Sequence, residues 1–296
     1  MKPNLKSDDG FILVAVLWIL GGLSVLAAVY TLYVVNTANS MHVNDDRIQA
    51  DASVSAALEM TAYYLGAVKL EERPNSGQFS FRVGGSNVAV GFKSETARID
   101  LNSAPKELLA GLFQVIGADT NAANQYADRI IGWRTPSIVP NPDQDKEVEA
   151  YRNAGLTYNP RQAPFASEQE LWLVLGLPPD LVQEALPFVT VYSGSASIDV
   201  MNAAPQVIAA LPGMTPDRLD AILNQRNALP TDAKSVQQMQ GLAQAGEAAA
   251  SSNATRVTVQ VSLAGGRRVK AAAVILLLQD APDPYRVLSW TDDFDG

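Results

Sequence analysis

The chain has 296 residues, with 31 Asp and Glu against 22 Lys and Arg and a net charge of −9. That balance argues against nucleic acid as a partner, because phosphate binding needs a positive surface. There is no Cys and a single His, His42, which excludes disulfides, thiolate metal sites and any Ser-His-Asp, Cys-His or multi-histidine constellation. No Gly-rich phosphate loop of the Walker type occurs. No catalytic residue is assigned, and an enzyme is not expected.

The first element in chain order is a membrane helix. A short polar leader, MKPNLKSDDG, ends at Gly10, and residues 11 to 35 then run without a charge. A helix of that length reaches roughly 37 Å, enough to cross a hydrocarbon core of about 30 Å. A secretory signal would have an apolar core of about 7–15 residues, with its cleavage site behind it. Here the small-residue boundary Asp9-Gly10-Phe11 lies in front, so a cut after Gly10 leaves the helix on the mature chain. An uncleaved signal anchor would share the topology. From Asn36 to Lys69 there is no Pro, and Gly66 is the only Gly. Val54, Ala57, Leu58, Thr61, Tyr64, Leu65 and Val68 recur every three or four residues, which predicts one continuous helix from 11 to about 69.

Residues 70–77 read as a loop. Gln78–Gly84 and Asn87–Lys93 alternate apolar and polar residues around Gly84-Gly85-Ser86, a hairpin pattern, and a short extended segment, Thr96–Leu101, follows. A second hairpin, Thr255–Leu263 with Arg267–Leu277, lies near the C-terminus. Between about 102 and 250 the sequence is helical in character. It contains a near-repeat: Ile99-Asp100-Leu101-Asn102-Ser103-Ala104-Pro105 matches Ile198-Asp199-Val200-Met201-Asn202-Ala203-Ala204-Pro205. Asn102 or Ser103, and Asn202, are expected to cap the helices that follow, and each copy later reaches a helix ending in Arg, Arg134 or Arg226. The turn Leu211-Pro212-Gly213-Met214 has helix-hairpin-helix character. Such units bind DNA in some proteins, but the acidity of the chain favours a structural or protein-binding version.

Asp143, Asp145, Glu147 and Glu149 alternate with other residues in a segment read as a loop. Hard oxygen ligands gathered in this way suit Ca²⁺; a solvated acidic loop is the other reading, and Lys146 inside the cluster speaks for it. The end of the chain, 280–296, reads as an acidic tail that is frayed or makes a short contact.

The leader and apolar run resemble a type IV prepilin. Counting from Phe11, however, the fifth residue is Ala15, where most pilin-like proteins carry Glu. Together with the repeated Asp-to-Pro motif and the stretch Pro164-Phe165-Ala166-Ser167, Glu170-Leu171, Gly176-Leu177, this resembles the minor pseudopilin K family of type II secretion systems (general secretion pathway protein K). The resemblance implies an α+β pseudopilin fold, a long N-terminal helix packed on a small antiparallel sheet, with a large inserted α-helical domain of two SAM-like, helix-hairpin-helix-like subdomains. The divisions expected are a leader at 1–10, a transmembrane half-helix at 11–35, pseudopilin helix and first strands at 36–100, the insert at 101–250, C-terminal strands at 251–279 and the tail at 280–296. It implies processing between Gly10 and Phe11 by prepilin peptidase with methylation of Phe11. Ala15 marks a tip position, and the function implied is to form and cap the pseudopilus tip and so support protein export. Expected partners are other minor pseudopilins, the major pseudopilin, the peptidase and inner-membrane lipid. The expected location is the inner membrane, single-pass, with the C-terminal domain in the periplasm. The family's acidic loop implies calcium at Asp143, Asp145, Glu147 and Glu149, although Arg134 stands where the family often has an acidic residue after the Trp; no cofactor is otherwise required. The rival functions are a signal-anchored periplasmic binding protein and a helix-hairpin-helix DNA-binding protein of an uptake system.

Overall fold

The computed structural model describes residues 9–136, 142–228, 252–279 and 281–293. Expectations for the leader before Asp9, for 229–251 and for the last three residues lie outside this description.

A single helix, α1 (Asp9–Gly66), runs through the apolar stem and onward. Its last third lays Ala50, Val54, Ala57, Leu58, Ala62 and Leu65 on a sheet. Tyr64, expected in this stripe, is instead exposed, and Ala62 takes the inward position. The sheet has five strands in the order β1 (Ser76–Val83), β2 (Ser86–Ser94), β5 (Ala254–Ser262), β6 (Arg268–Leu277) and β7 (Tyr285–Asp293). All neighbours are antiparallel. The β1–β2 turn needs two residues in the left-handed region, which Gly84 (φ 55) and Gly85 (φ 84) supply. Val88, Val90, Phe92, Val257, Val259, Val261, Val269, Ala273 and Ile275 face α1 and form the first core.

The strand β7 corrects the reading of 280–296 as a tail. Its pairing with β6 shifts register between Val274 and Ile275, so that Val287 stands opposite Ile275 and Ser289 opposite Val274, with Leu288 as the extra residue. The bulge interrupts the two-residue alternation by which a strand is recognised.

Everything between β2 and β5 is the insert, with its own core. It contains a two-stranded parallel pair, β3 (Ile99–Asp100) with β4 (Val189–Thr190). Two helical hairpins follow the two copies of the repeat: α2 (Lys106–Val115) with α3 (Thr120–Arg134), and α6 (Pro205–Ala209) with α7 (Pro216–Ala228). Gly117 (φ 107) and Gly213 (φ 69) sit at equivalent places in the two turns. Between the hairpins lie α4 (Pro142–Asn153), a 3-10 segment Glu168–Leu173 and α5 (Pro179–Ala185). The hairpins meet where α2 crosses the end of α6: a Cβ built on Gly111 would lie 2.1 Å from the Ala210 carbonyl oxygen. Only glycine allows that approach.

Candidate functional site

The stem comes first. Leu13–Val35 is long and apolar enough to cross a membrane, and its large side chains point outward, with Trp18 79% exposed. Its Ser and Thr hydroxyls are satisfied within the helix. Ser24 donates to the Leu20 carbonyl and Thr31 to the Ala27 carbonyl, both at 2.8 Å, as a hydrocarbon environment demands. Gly10 lies in the first turn of the helix and Ala15 in the second, with no carboxylate between 11 and 35.

The repeated motif proves to be a pair of carboxylate turns. Asp100 is buried, and its Oδ1 accepts from the Asn102 N–H at 2.7 Å and the Ser103 N–H at 3.1 Å. Asp199 is equally buried and accepts from the Met201 N–H at 3.0 Å. These aspartates, rather than Asn102, Ser103 or Asn202, organise the turns into α2 and α6, whose N-cap positions are Pro105 and Ala204. Asn102 is used elsewhere: it bridges the Phe165 backbone, donating at 3.1 Å and accepting at 2.7 Å.

The Arg that ends each copy closes the unit. Arg134 donates to the Leu101 carbonyl at 2.5 Å and the Ala104 carbonyl at 2.7 Å; Arg226 donates to the Ala203 carbonyl at 2.7 Å. Burial lowers the pKa of Arg134, and Asp100 opposes the shift. Arg134 thus lies within electrostatic reach of the buried carboxylate of its own turn while its hydrogen bonds go to the turn carbonyls. The stretch from Pro164 also acquires a reason. Phe165 fills the insert core beside Trp133, and Glu170 accepts from Trp133 Nε1 at 3.1 Å, from Arg161 at 2.9 Å and from the Ala166 N–H at 3.2 Å. Gly176 (φ 83) makes the turn toward α5.

A third group, unforeseen from the sequence, fastens the insert to the sheet. Glu95, 1% exposed, follows β2 and meets Arg256 of β5, with Nε–Oε1 at 2.7 Å and Nη2–Oε2 at 3.3 Å. Arg256 also reaches Glu168 at 3.1 Å, and Thr190 of β4 donates to Glu95. Burial works against the charge on Arg256, but the two carboxylates outweigh it and its pKa is raised. Asn75 donates to Asp199 at 3.0 Å and Ser76 to Asn202 at 2.5 Å, which ties the second repeat to the start of β1. The sequence signal was Arg256 itself, a charge on a strand whose other face carries Val257, Val259 and Val261.

The acidic segment is a helix, not a loop: α4 begins at Pro142. The side chains of Asp143 and Asp145 lie outside the described residues. Glu147 and Glu149, two positions apart, point roughly 200° apart around a helix. Glu147 is already paired with Arg129 at 2.6 Å, and burial raises its pKa while Arg129 opposes. Among the described side chains, no three carboxylates or histidines gather as a metal would require. Glu147 and Glu149 therefore do not fit one shared cation.

Residues 89–194 match the family model for type II secretion system protein K. No curated relative matches. In structure the chain is similar to a chain of the crystal structure of the GspK-GspI-GspJ complex from the enterotoxigenic Escherichia coli type 2 secretion system, with a TM-score of 0.56 and 17% identity over 87% of this chain and 99% of that one. At that identity the likeness shows the fold: the long helix, sheet and insert are a shared architecture. The matched segment starts inside β2 and runs through most of the insert, and the helix-and-sheet unit around it shares the fold of that solved chain.

Proposed function

We propose that this chain is a minor pseudopilin of the protein K family of type II secretion systems, cut after Gly10 by prepilin peptidase, methylated at Phe11, and assembled with other minor pseudopilins at the pseudopilus tip. The observation that carries this reading is the insertion of the protein K segment between β2 and β5 of a helix-and-sheet unit whose helix continues as a charge-free stem. The stem holds the chain in the inner membrane with the remainder in the periplasm. On assembly it slides among the stems of neighbouring subunits.

Two features support a terminal place. Ala15 offers no carboxylate to pair with the N-terminal amine of a neighbour, and an unpaired carboxylate in hydrocarbon would be costly. The insert occupies the chain from Glu95 to the start of β5, and that bulk leaves little room for a subunit stacked above. Export is then supported structurally, through the start and capping of the filament, with no chemistry asked of the chain. Other minor pseudopilins are the partners that the likeness to the GspK-GspI-GspJ complex supports, and the major pseudopilin is the next subunit below.

Mass spectrometry of the membrane-extracted protein tests the processing step. The expected mature chain begins at N-methylated Phe11. An intact Met1 in cells with active peptidase would make the segment a plain signal anchor.

A further inference from the structure

We propose that the sheet face turned away from α1 is a docking trench for an acidic, extended segment of another protein chain. The register of the strands lays out this face as four rows. Ser76, Lys93 and Arg256 form the row next to the insert; Gln78, Gly91, Thr258 and Ala272 the second; Ser80, Ala89, Gln260 and Lys270 the third; Arg82, Asn87, Ser262 and Arg268 the last.

The charge on this face is opposite to that of the molecule. The chain has a net charge of −9, yet β1, β2, β5 and β6 contain no Asp or Glu, only Arg82, Lys93, Arg256, Arg268 and Lys270. Arg256 is taken up by Glu95 and Glu168. Arg82, Lys93, Arg268 and Lys270 are exposed, and none is in an ion pair among the described residues. Asp293 of β7, opposite Lys270, is the acidic position that the register brings to the edge of this face.

The floor between the cations is small. Ser80, Ala89, Gly91 and Thr258 leave two hollows, one of about 530 Å³ over Ala89, Gly91 and Thr258, the other of about 590 Å³ running to Lys93 and Arg98. A backbone can therefore lie close to the sheet while its carboxylates reach Lys93 on one side and Lys270, Arg82 and Arg268 on the other. Charge complementarity of this kind selects the partner and speeds its encounter. The floor also decides against single-stranded nucleic acid, whose binding relies on aromatic platforms. Phe79, Phe81 and Phe92 belong by register to the face turned toward α1, and the floor residues Ser80, Ala89, Gly91 and Thr258 carry no ring on which a base could stack.

The test uses the full chain in a neutral detergent and a fluorescein-labelled Glu-rich peptide as probe, read by anisotropy. Binding is expected at low ionic strength, weakening steeply with salt. The double variant Lys93→Glu/Lys270→Glu should lose at least about tenfold in affinity through like-charge repulsion. Ala89→Trp, which fills the trench without altering its charge, should lose a similar factor of roughly ten by steric exclusion. Far-UV circular dichroism of both variants should match the parent. No binding by the parent chain, or unchanged affinity in both variants, overturns the proposal. A poly-dT oligonucleotide bound as tightly as the peptide would overturn the assignment to a protein segment.

Discussion

Replacing Arg256 by Ala is expected to cost about 3–5 kcal/mol, the range for breaking a buried ion pair from one side. The reason is the carboxylate left behind. Glu95 is 1% exposed, and Arg256 supplies both of its charge-assisted contacts, with only the Thr190 hydroxyl remaining. Arg98 lies close enough to feel the same carboxylates, but its guanidinium donates to the Val189 carbonyl at 3.4 Å and its pKa is lowered by burial and by Arg256; it is not placed to take over. The desolvation of two ions makes the net worth of such a pair small, so the loss measures an orphaned charge. It follows that Glu95→Gln/Arg256→Met should recover most of the stability lost in Arg256→Ala. Urea unfolding of the detergent-solubilised chain, followed by Trp fluorescence, measures both. A loss below about 1 kcal/mol would place the pair in the class of surface ion pairs, and the insert would be held by something else.

The second large effect is expected at Gly111. In an open helix position Gly→Ala stabilises by about 1 kcal/mol through backbone entropy. Here the added methyl would stand 2.1 Å from the Ala210 oxygen and 2.9 Å from its carbonyl carbon. The obstacle is backbone at the end of α6, held by the Ala210 N–H donating to the Gln206 carbonyl at 3.1 Å, and cannot rotate away as a side chain would. Overpacking of this kind costs about 1–3 kcal/mol, which outweighs the propensity gain. Gly111→Ala should therefore unfold at lower urea than the parent, with Gly111→Val lower still. An increase in stability would mean that the two helical hairpins are not packed as described.

These two sites also show where the sequence was readable and where it was not. The long helix and both hairpins announced themselves, because a residue with one buried face repeats at the period of its element. The twofold insert is legible in Asp100 and Asp199, and so is the Arg at the end of each copy, whereas its reach back to the turn carbonyls exists only in the folded hairpin. The assignment of the caps went to Asn102, Ser103 and Asn202, since capping is ordinarily counted from the residue nearest the helix; here an aspartate several residues earlier holds the turn. Leu288 hid β7 by a single extra residue. In α4 the alternating acids suggested a loop, whereas a helix accommodates them on different faces, with Glu147 turned to Arg129. The Glu95–Arg256 pair spans 161 residues. No local pattern encodes such a pairing, and it became visible only when the ends of β2 and β5 were brought side by side.

The placement at the tip is tested most directly by locating the chain on the filament. The sequence has no Cys, so a single Cys introduced in the exposed turn at Gly265 of the otherwise intact chain can carry a gold label without background. In pseudopili isolated from secreting cells, the label is expected at one end of each filament and nowhere else. Labels distributed along the shaft, with secretion intact, would contradict the account.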